Sequence, residues 1–321
     1  MKMERTGIVI VNYNSADLAL KAIASVLAAR RPGRHLQIVL VDNASPELGF
    51  DALVQRVTQK FPDHTVAVRT ADMLSASNAE IVLIASPENG GFAAGCNIGI
   101  RFLQAMNTNL FVLLNPDTLI HRDALTAFRD KLSDTSYGLV GATLLTTGKP
   151  ARVQALGGAM MSAMTLLGKN LGEGEPLSVH QQETYLEASL DYPVGAAMAF
   201  RADWLEEAGL MDERYFLYYE EADWVRAGRK KYKPGWASGA RVFHYRGAVA
   251  GSHLGVGQRS PLADYHMVRS RMLFAKKWCP WMLPLLFALG LVQALRRVVR
   301  QQWQQAGSVL RGNLPFAPRM F

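Results

Sequence analysis

Through the first 120 residues, fully apolar runs alternate with amphipathic stretches. Gly7–Val11 (GIVIV) shows no polar alternation, as expected of a strand buried on both faces. Ala16–Ala29 puts Leu18, Ala22, Val26 and Ala29 on one helical face. Gln37–Val41 (QIVLV) reads as a second buried strand, and about Phe50–Lys60 as a helix. Thr65–Arg69 and Ile81–Ala85 follow as strands, Phe92–Met106 as a helix and Leu110–Leu114 (LFVLL) as another strand. This rhythm predicts an α/β protein built on an open, mostly parallel sheet with helices on both faces. Such sheets bind ligands beyond the carboxyl ends of their strands. The polar clusters fall there: Asn12-Tyr13-Asn14, Asp42-Asn43 and Asn115-Pro116-Asp117.

The pattern weakens over Thr146–Leu190, which is rich in Gly, Met and Gln and reads as a long excursion, a hairpin with a mobile loop. Tyr192–Phe200 (YPVGAAMAF) reads as one strand and Ala202–Ala208 as a short helix. The charged aromatic segment Phe216–Asp223 leads into a helix, and Ala240–Tyr245 is a last strand carrying His244. Trp278–Leu295 then runs 18 residues without a charge, but with Pro280 and Pro284 in its first half. Leu291, Leu295, Val298 and Val299 share a stripe opposite Gln293, Arg296, Arg297 and Arg300, the pattern of a basic amphipathic helix. A bilayer span takes about 20 apolar residues. The prolines and the basic residues on both flanks favour interfacial or re-entrant association over a span; a helix packed on the body or in an oligomer interface is the alternative.

Charge sharpens that contrast. The 321 residues carry a formal +8, yet the last acidic residue is Asp264 and nine basic residues follow it. Residues 1–264 hold 26 basic against 27 acidic side chains, a formal −1. That balance disfavours a uniformly basic nucleic-acid-binding surface, and a local anionic partner such as lipid headgroups suits the tail. Cys96 and Cys279 lack any paired spacing, which excludes a disulfide scaffold or a cysteine-rich zinc site. The first apolar run is too short for a signal peptide, so a cytoplasmic protein is expected.

Asp117 follows a wholly apolar strand, so it sits at a sheet end where ligands bind. Asn115 adds a neutral oxygen beside it. One carboxylate together with diphosphate oxygens suits a hard cation, Mg²⁺ or Mn²⁺; capping of the next helix is the alternative role for Asp117. Glu220, Glu221 and Asp223 lie among Phe216, Tyr218, Tyr219 and Trp224. Glu220 and Asp223 share one helical face while Glu221 points elsewhere. Acids among aromatics are desolvated, which raises a carboxyl pKa toward the range of a general base; a solvated acidic helix start is the alternative. The turn Pro87–Asn97 (PENGGFAAGCN) allows close backbone approach to a phosphate or sugar, but matches neither GxGxxG nor GxxxxGK[ST]. His244 acquires a ligand role only where it converges with Asp117.

Taken together, IVIVNYNS (8–15), VLVDNAS (39–45), PENGGFAAGCNIG (87–99), VLLNPDT (112–118), VGAAMAFR (194–201), GLMDERYFLYYEEAD (209–223) and VFHYRG (242–247) resemble the family 2 glycosyltransferases, in particular the bacterial rhamnosyltransferase-like branch. The resemblance covers about residues 7–275. It implies a GT-A fold, with a nucleotide-sugar half over about 1–120 and an acceptor half over about 121–264 on one mixed, mostly parallel sheet; the basic, apolar tail over 265–321 is read independently, from its charge and pattern, as membrane-associating. It implies a metal-dependent, inverting transfer from a nucleoside diphosphate sugar, dTDP-L-rhamnose first, to a lipid-diphosphate-linked glycan at the cytoplasmic face of the inner membrane. On the donor side it assigns Asn12, Tyr13, Asn14, Asp42, Asn89, Gly91, Asn97 and Asn115, with Tyr13 packing on the base and Asp42 accepting a base N–H. Asp117 matches the direct metal ligand, where Asn115 replaces the first Asp of the DxD motif, and His244 matches a histidine near the metal and diphosphate. Gly195, Tyr218 and Trp224 fall on the acceptor side. Glu220-Glu221 matches the Glu-Asp pair that supplies the base, with Glu221 favoured although it is one methylene longer.

Two rivals remain at this point. A sugar-nucleotide pyrophosphorylase would need a cationic triphosphate loop after the first strand, which Asn12–Ser15 does not offer. A catalytically silent scaffold subunit of a polysaccharide-assembly complex would need an eroded metal or base site.

Overall fold

In the computed structural model, which describes residues 5–70, 78–177, 183–245 and 260–314, the apolar runs of the first half all become strands. They are β1 (Arg5–Asn12), β2 (His35–Asp42), β3 (Val66–Thr70), β4 (Ile81–Ala85) and β5 (Leu110–Leu114), interleaved with α1 (Ala16–Ala28), α2 (Phe50–Lys60) and α3 (Gly91–Ala105). The second half continues as β6 (Thr118–Ile120), α4 (Ala124–Leu132), β7 (Tyr137–Thr146), β8 (Val153–Leu156), β9 (Gly158–Met161), β10 (Gly168–Asn170), α5 (Glu183–Ala188), β11 (Tyr192–Pro193), β12 (Ala197–Arg201), α6 (Ala202–Ala208), α7 (Glu220–Gly228) and β13 (Lys233–His244). Three helices close the described chain: α8 (Pro261–Trp278), α9 (Leu283–Val299) and α10 (Trp303–Gly312).

The main sheet has the order β3-β4-β2-β1-β5-β12-β7-β13-β6, with β8 added on β7. From β3 to β5 every pairing is parallel. β12 then enters antiparallel between β5 and β7, while β7 and β13 pair in parallel. The result is one mixed, mostly parallel sheet. Its winding reverses at β1, which has β2 on one side and β5 on the other, so a crevice opens at the carboxyl ends of these three strands. Ile8, Ile10, Ile38 and Leu40 pack on one face of the sheet, against α1 and α2, and Val9, Val11, Val39 and Val41 on the other, with α3. Burial on both faces is why these strands lack polar alternation.

The expected strand Tyr192–Phe200 divides in two. Tyr192 and Pro193 join the small sheet β10-β9-β11, and Ala197–Arg201 joins the main one. Between them the Gly195 N–H is given to a side chain rather than to a neighbouring strand. The last strand is longer than Ala240–Tyr245: pairing with β7 recruits the polar, glycine-containing stretch from Lys233 onward. Only part of the excursion over 146–190 is described, and it contains ordered structure, β8, β9, β10 and α5. Arg246 and Gly247 of the VFHYRG string lie outside the described residues.

The carboxyl-terminal region is not one uniform tail. α8 packs on the body through Met272, Phe274 and Ala275, which cluster with Leu166, Tyr215, Tyr219 and Ala222, and its Ser270 hydroxyl donates to the Leu217 carbonyl; Val268 packs instead with Ala294 of α9 and Val309 of α10. Pro280–Val299 is long and apolar enough to cross a membrane, with mean hydropathy 1.6 over its window and 22% of that window buried. Leu286, Gly290 and Ala294 of α9 face the protein, whereas Leu291, Leu295 and Val299 are exposed along the opposite side. Arg297 departs from the expected basic face. Its guanidinium turns inward to the fully buried Asp264 carboxylate at 2.7 Å, because a buried charge requires a partner.

Candidate active site

Most of the site starts at strand ends. At β1 and β2, the Asn12 amide donates to Asp42 Oδ1 at 2.7 Å, and the Ser45 hydroxyl donates to the same oxygen at 2.6 Å. The Ser45 N–H donates to the other Asp42 oxygen. Asp42 is thus held rigidly beside a pocket of about 400 Å³ whose lining includes Asn12, Asn14, Asp42, Ser45, Leu53 and Arg56. Asn14, at φ 50°, turns the chain, and its side-chain oxygen accepts from the Glu47 N–H. Tyr13 stands partly exposed.

The glycine-rich turn is braced against the segment before α7. Asn43 donates to Asn89 Oδ1, which also accepts from the Gly91 N–H. Gly91 has φ +87°, and a Cβ there would lie 2.3 Å from the Phe216 carbonyl oxygen, so only glycine fits. Asn97 is fully committed to the protein. Its amide donates to the Met211 carbonyl and to Glu213, its oxygen accepts from the Met211 N–H, and it is 1% exposed. Trp224 lies in the core against Phe200 and Trp204 and donates to the Gly209 carbonyl. Neither Asn97 nor Trp224 presents a free polar atom to a substrate in this arrangement, so the donor-side expectation for Asn97 and the acceptor-side one for Trp224 are replaced by bracing roles.

Asp117 follows β5, and β6 pairs antiparallel with the end of β13 so that Thr118 faces His244. This register sets Asp117 Oδ1 3.3 Å from His244 Nε2. Asp117 is buried, and among the described residues its Oδ1 accepts no hydrogen bond. Among the described residues no group of three His, Cys, Asp or Glu side chains could hold a metal. Asp117 and His244 therefore form an open pair of donors that would leave most positions around an ion to substrate oxygens and water.

The chain reaches α7 through Tyr218 and Tyr219, two consecutive left-handed residues at φ 70° and 72°. Such a backbone costs roughly 1–3 kcal/mol per residue and persists only where packing imposes it. Here the Tyr219 hydroxyl donates to the Leu166 carbonyl, and its ring lies near Phe274 of α8. The reversal delivers Glu220 and Glu221 to the first turn of α7. Glu220 is 2% exposed, and its Oε2 accepts no hydrogen bond. Burial, then the adjacent Glu221 charge, push its carboxyl well above the usual range, against the pull of two backbone N–H groups. Glu221 is partly exposed and accepts the Gly195 N–H at 2.9 Å. Burial raises it from 4.5 to about 6, so desolvation outweighs both that bond and the one from its own backbone N–H. Asp223, one turn on, is neutralised by the Lys277 ammonium and the Trp278 indole N–H, each at 2.7 Å, with the Tyr215 hydroxyl at 3.2 Å.

Two backbone links bring the carboxylates to one corner. The Asn115 N–H donates to the Ala196 carbonyl, and the neighbouring Gly195 N–H holds Glu221. The Asp117 loop and the Glu221 side chain thus meet at the same junction of β5 and β12. Lys277, Trp278 and Gln154, which the sequence did not single out, complete the surroundings.

The family model described as Glycosyl transferase family 2 matches residues 7–208. The chain belongs to glycosyl transferase family 2. The match includes Asn12, Asp42, Asp117 and Gly195, while Glu220, Glu221 and His244 lie beyond it. Among curated relatives of this glycosyltransferase is the low-salt glycan biosynthesis hexosyltransferase Agl10 of Haloferax volcanii, 25% identical over 158 residues, 48% of each chain. The chain thus spans about half the length of that relative. Similar solved structures include the mannosyltransferase PcManGT from Pyrobaculum calidifontis in complex with GDP-Man and Mn²⁺, at 16% identity and TM-score 0.53, covering 96% of this chain and 85% of that one. S. aureus TarS 1-349 in complex with UDP-GlcNAc is similar at 12% identity and TM-score 0.53, covering 98% and 82%. At these identities the likeness concerns the fold, and the fold is GT-A.

Proposed function

We propose that this glycosyltransferase moves a sugar from a nucleoside diphosphate donor to a hydroxyl of a lipid-diphosphate-linked glycan, with inversion at the anomeric carbon, in cell-surface polysaccharide assembly. The observation that carries the reading is the junction at which the Asp117 loop and Glu221 are tied to adjacent residues, Ala196 and Gly195. Glu221 is the base. It is partly open to solvent, oriented by a backbone N–H, and raised only to about 6, so it is ionised at neutral pH yet able to take a proton. Glu220 is enclosed, with burial and the Glu221 charge pushing its carboxyl upward, and it lends shape rather than an accessible base. The acceptor oxygen, losing its proton to Glu221, bonds to the anomeric carbon from the face opposite the diphosphate. The bond from that carbon to the phosphate oxygen breaks, and the nucleoside diphosphate leaves.

Asp117 and His244 fit a divalent cation, Mg²⁺ or Mn²⁺. The buried Asp117 oxygen lacks a hydrogen-bond donor, and an imidazole nitrogen stands 3.3 Å from it. When bound there, the ion neutralises charge developing on the departing diphosphate. Asp42 and Tyr13 would hold the base at the carboxyl ends of β1 and β2, where one Asp42 oxygen accepts only the Ser45 N–H. PcManGT was solved with Mn²⁺, which supports the cation, and GDP-Man and UDP-GlcNAc in the neighbours support a nucleotide-sugar donor. L-Rhamnose from dTDP-rhamnose is the donor that the motif resemblance favours. The exposed apolar side of α9, with Trp281 and Trp303 near its ends and Arg296 and Arg300 on its flank, suits the anionic cytoplasmic surface of the inner membrane. A lipid-borne acceptor would be met on that surface.

The test is release of nucleoside diphosphate from a panel of dTDP-rhamnose, GDP-mannose and UDP-N-acetylglucosamine, with Mn²⁺ and with chelator. Metal-dependent release from one donor, lost in Asp117→Ala, is expected. Turnover of none by the folded protein would favour the scaffold reading.

A further inference from the structure

β8 pairs with β7 in a register that slips by one. Leu144 faces Ala155, but Leu145 faces Val153, which leaves Gln154 as the extra residue of a β-bulge. A bulge re-aims the side chain it carries. Gln154 is only 5% exposed, and both ends of its amide are spent on the end of β13 and its neighbour. Its nitrogen donates to the His244 carbonyl at 2.8 Å and lies 3.5 Å from the Leu145 carbonyl, while its oxygen lies 2.9 Å from His244 Nδ1.

These contacts determine where the imidazole proton sits. A carbonyl oxygen cannot donate, so the amide end facing the two carbonyls is the NH₂ end. The end facing Nδ1 is then the oxygen, an acceptor, and Nδ1 must carry the hydrogen. In the neutral ring that leaves Nε2 with its lone pair, and Nε2 is the nitrogen 3.3 Å from the unpartnered Asp117 oxygen. Two acceptors face each other across a gap that a cation would bridge.

We propose that Gln154 is a positioning residue: from its β-bulge it holds His244 in the Nδ1–H tautomer and presents Nε2, with Asp117 Oδ1, as a ready pair of cation ligands. The role resembles that of the carboxylates and carbonyls behind metal-bound histidines, whose loss typically weakens metal binding 10- to 100-fold. The inference rests on the reading of Asp117 and His244 as the cation site, and it adds a residue to which neither the motifs nor the family resemblance points.

The full chain labelled with ¹⁵N-histidine, its His244 signals assigned by their loss in His244→Gln, reports the tautomer without metal or turnover. At pH 8 wild type should show protonated Nδ1 and unprotonated Nε2. Gln154→Leu should show a mixture or the opposite tautomer. Mn²⁺ binding, followed by the electron paramagnetic resonance of the free ion with dTDP, GDP or UDP present, should weaken by about 10- to 100-fold in Gln154→Leu. Gln154→Glu retains an acceptor for Nδ1–H and should keep the tautomer, although its second oxygen opposes the His244 and Leu145 carbonyls. An Nε2–H or doubly protonated His244 in wild type at pH 8 would overturn the proposal even if the leucine variant did not fold. Mn²⁺ binding by wild type with unchanged affinity and tautomer in Gln154→Leu would overturn it while leaving the cation site standing. No Mn²⁺ binding by wild type under any of these conditions would overturn both.

Discussion

Replacing Glu221 by Gln should make this protein slower and more stable at once, with the two effects sharing one pH dependence. Glutamine keeps the oxygen that accepts the Gly195 N–H, and nearly the same volume. It removes the charge that burial opposes. The folded carboxyl is raised from 4.5 to about 6, so folding favours the protonated form. Glu221 therefore does not penalise the fold below about pH 4.5, and its ionisation costs stability as pH rises through 6. The difference of about 1.5 units corresponds to about 2 kcal/mol above pH 7, on the order of 4 °C in Tm for a chain of this size. The loss of general-base catalysis should lower kcat by roughly 10²- to 10⁴-fold. Thermal melts of wild type and Glu221→Gln at pH 4.5, 6 and 7.5, beside the rate of nucleoside diphosphate release, provide the comparison. In wild type that rate should fall as pH drops through 6, as the base becomes protonated. A stabilisation equal at all three pH values, or none at 7.5, would refute the desolvation argument; an undiminished rate would remove Glu221 as the base.

Three further outcomes follow from the same geometry. Gly195→Ala would place a Cβ 2.1 Å from Glu221 Oε1, so the variant should fold yet lose at least tenfold in kcat with a smaller change in donor KM, measured by steady-state kinetics. Lys277→Met removes an ammonium from a 3%-exposed Asp223 carboxylate and should cost about 2–3 kcal/mol in urea denaturation, less than a full buried-pair loss because Trp278 and Tyr215 remain; in an Asp223→Asn background the cost should shrink. Leu291→Glu with Leu295→Glu charges the outward side of α9 and should abolish flotation with anionic vesicles while leaving Tm unchanged, whereas a change in Tm with retained flotation would show that this side packs within the protein.

The first half of the chain was legible in local pattern. Strands with both faces buried are uniformly apolar over five or more residues, and the polar residues that end them stand out for that reason. Asn12, Asp42 and Asp117 could be assigned to one edge of a sheet from this contrast and the βαβ handedness alone. The acids of α7 were visible too, because three carboxylates among aromatics form an unusual composition over a few positions. What local pattern does not carry is register between segments far apart in the chain. The contact of Asp117 with His244 depends on β6 pairing with the end of β13, more than 120 residues later. The role of Gln154 depends on a one-residue slip that leaves no trace in hydrophobic periodicity. Arg297 looked like a lipid-facing charge until folding buried Asp264 beside it, and Asn97 and Trp224 looked like binding residues until packing claimed their polar atoms. Composition determined which residues had to leave water and which could bear chemistry; strand order, register and the cost of unpaired buried charge decided which of them meet.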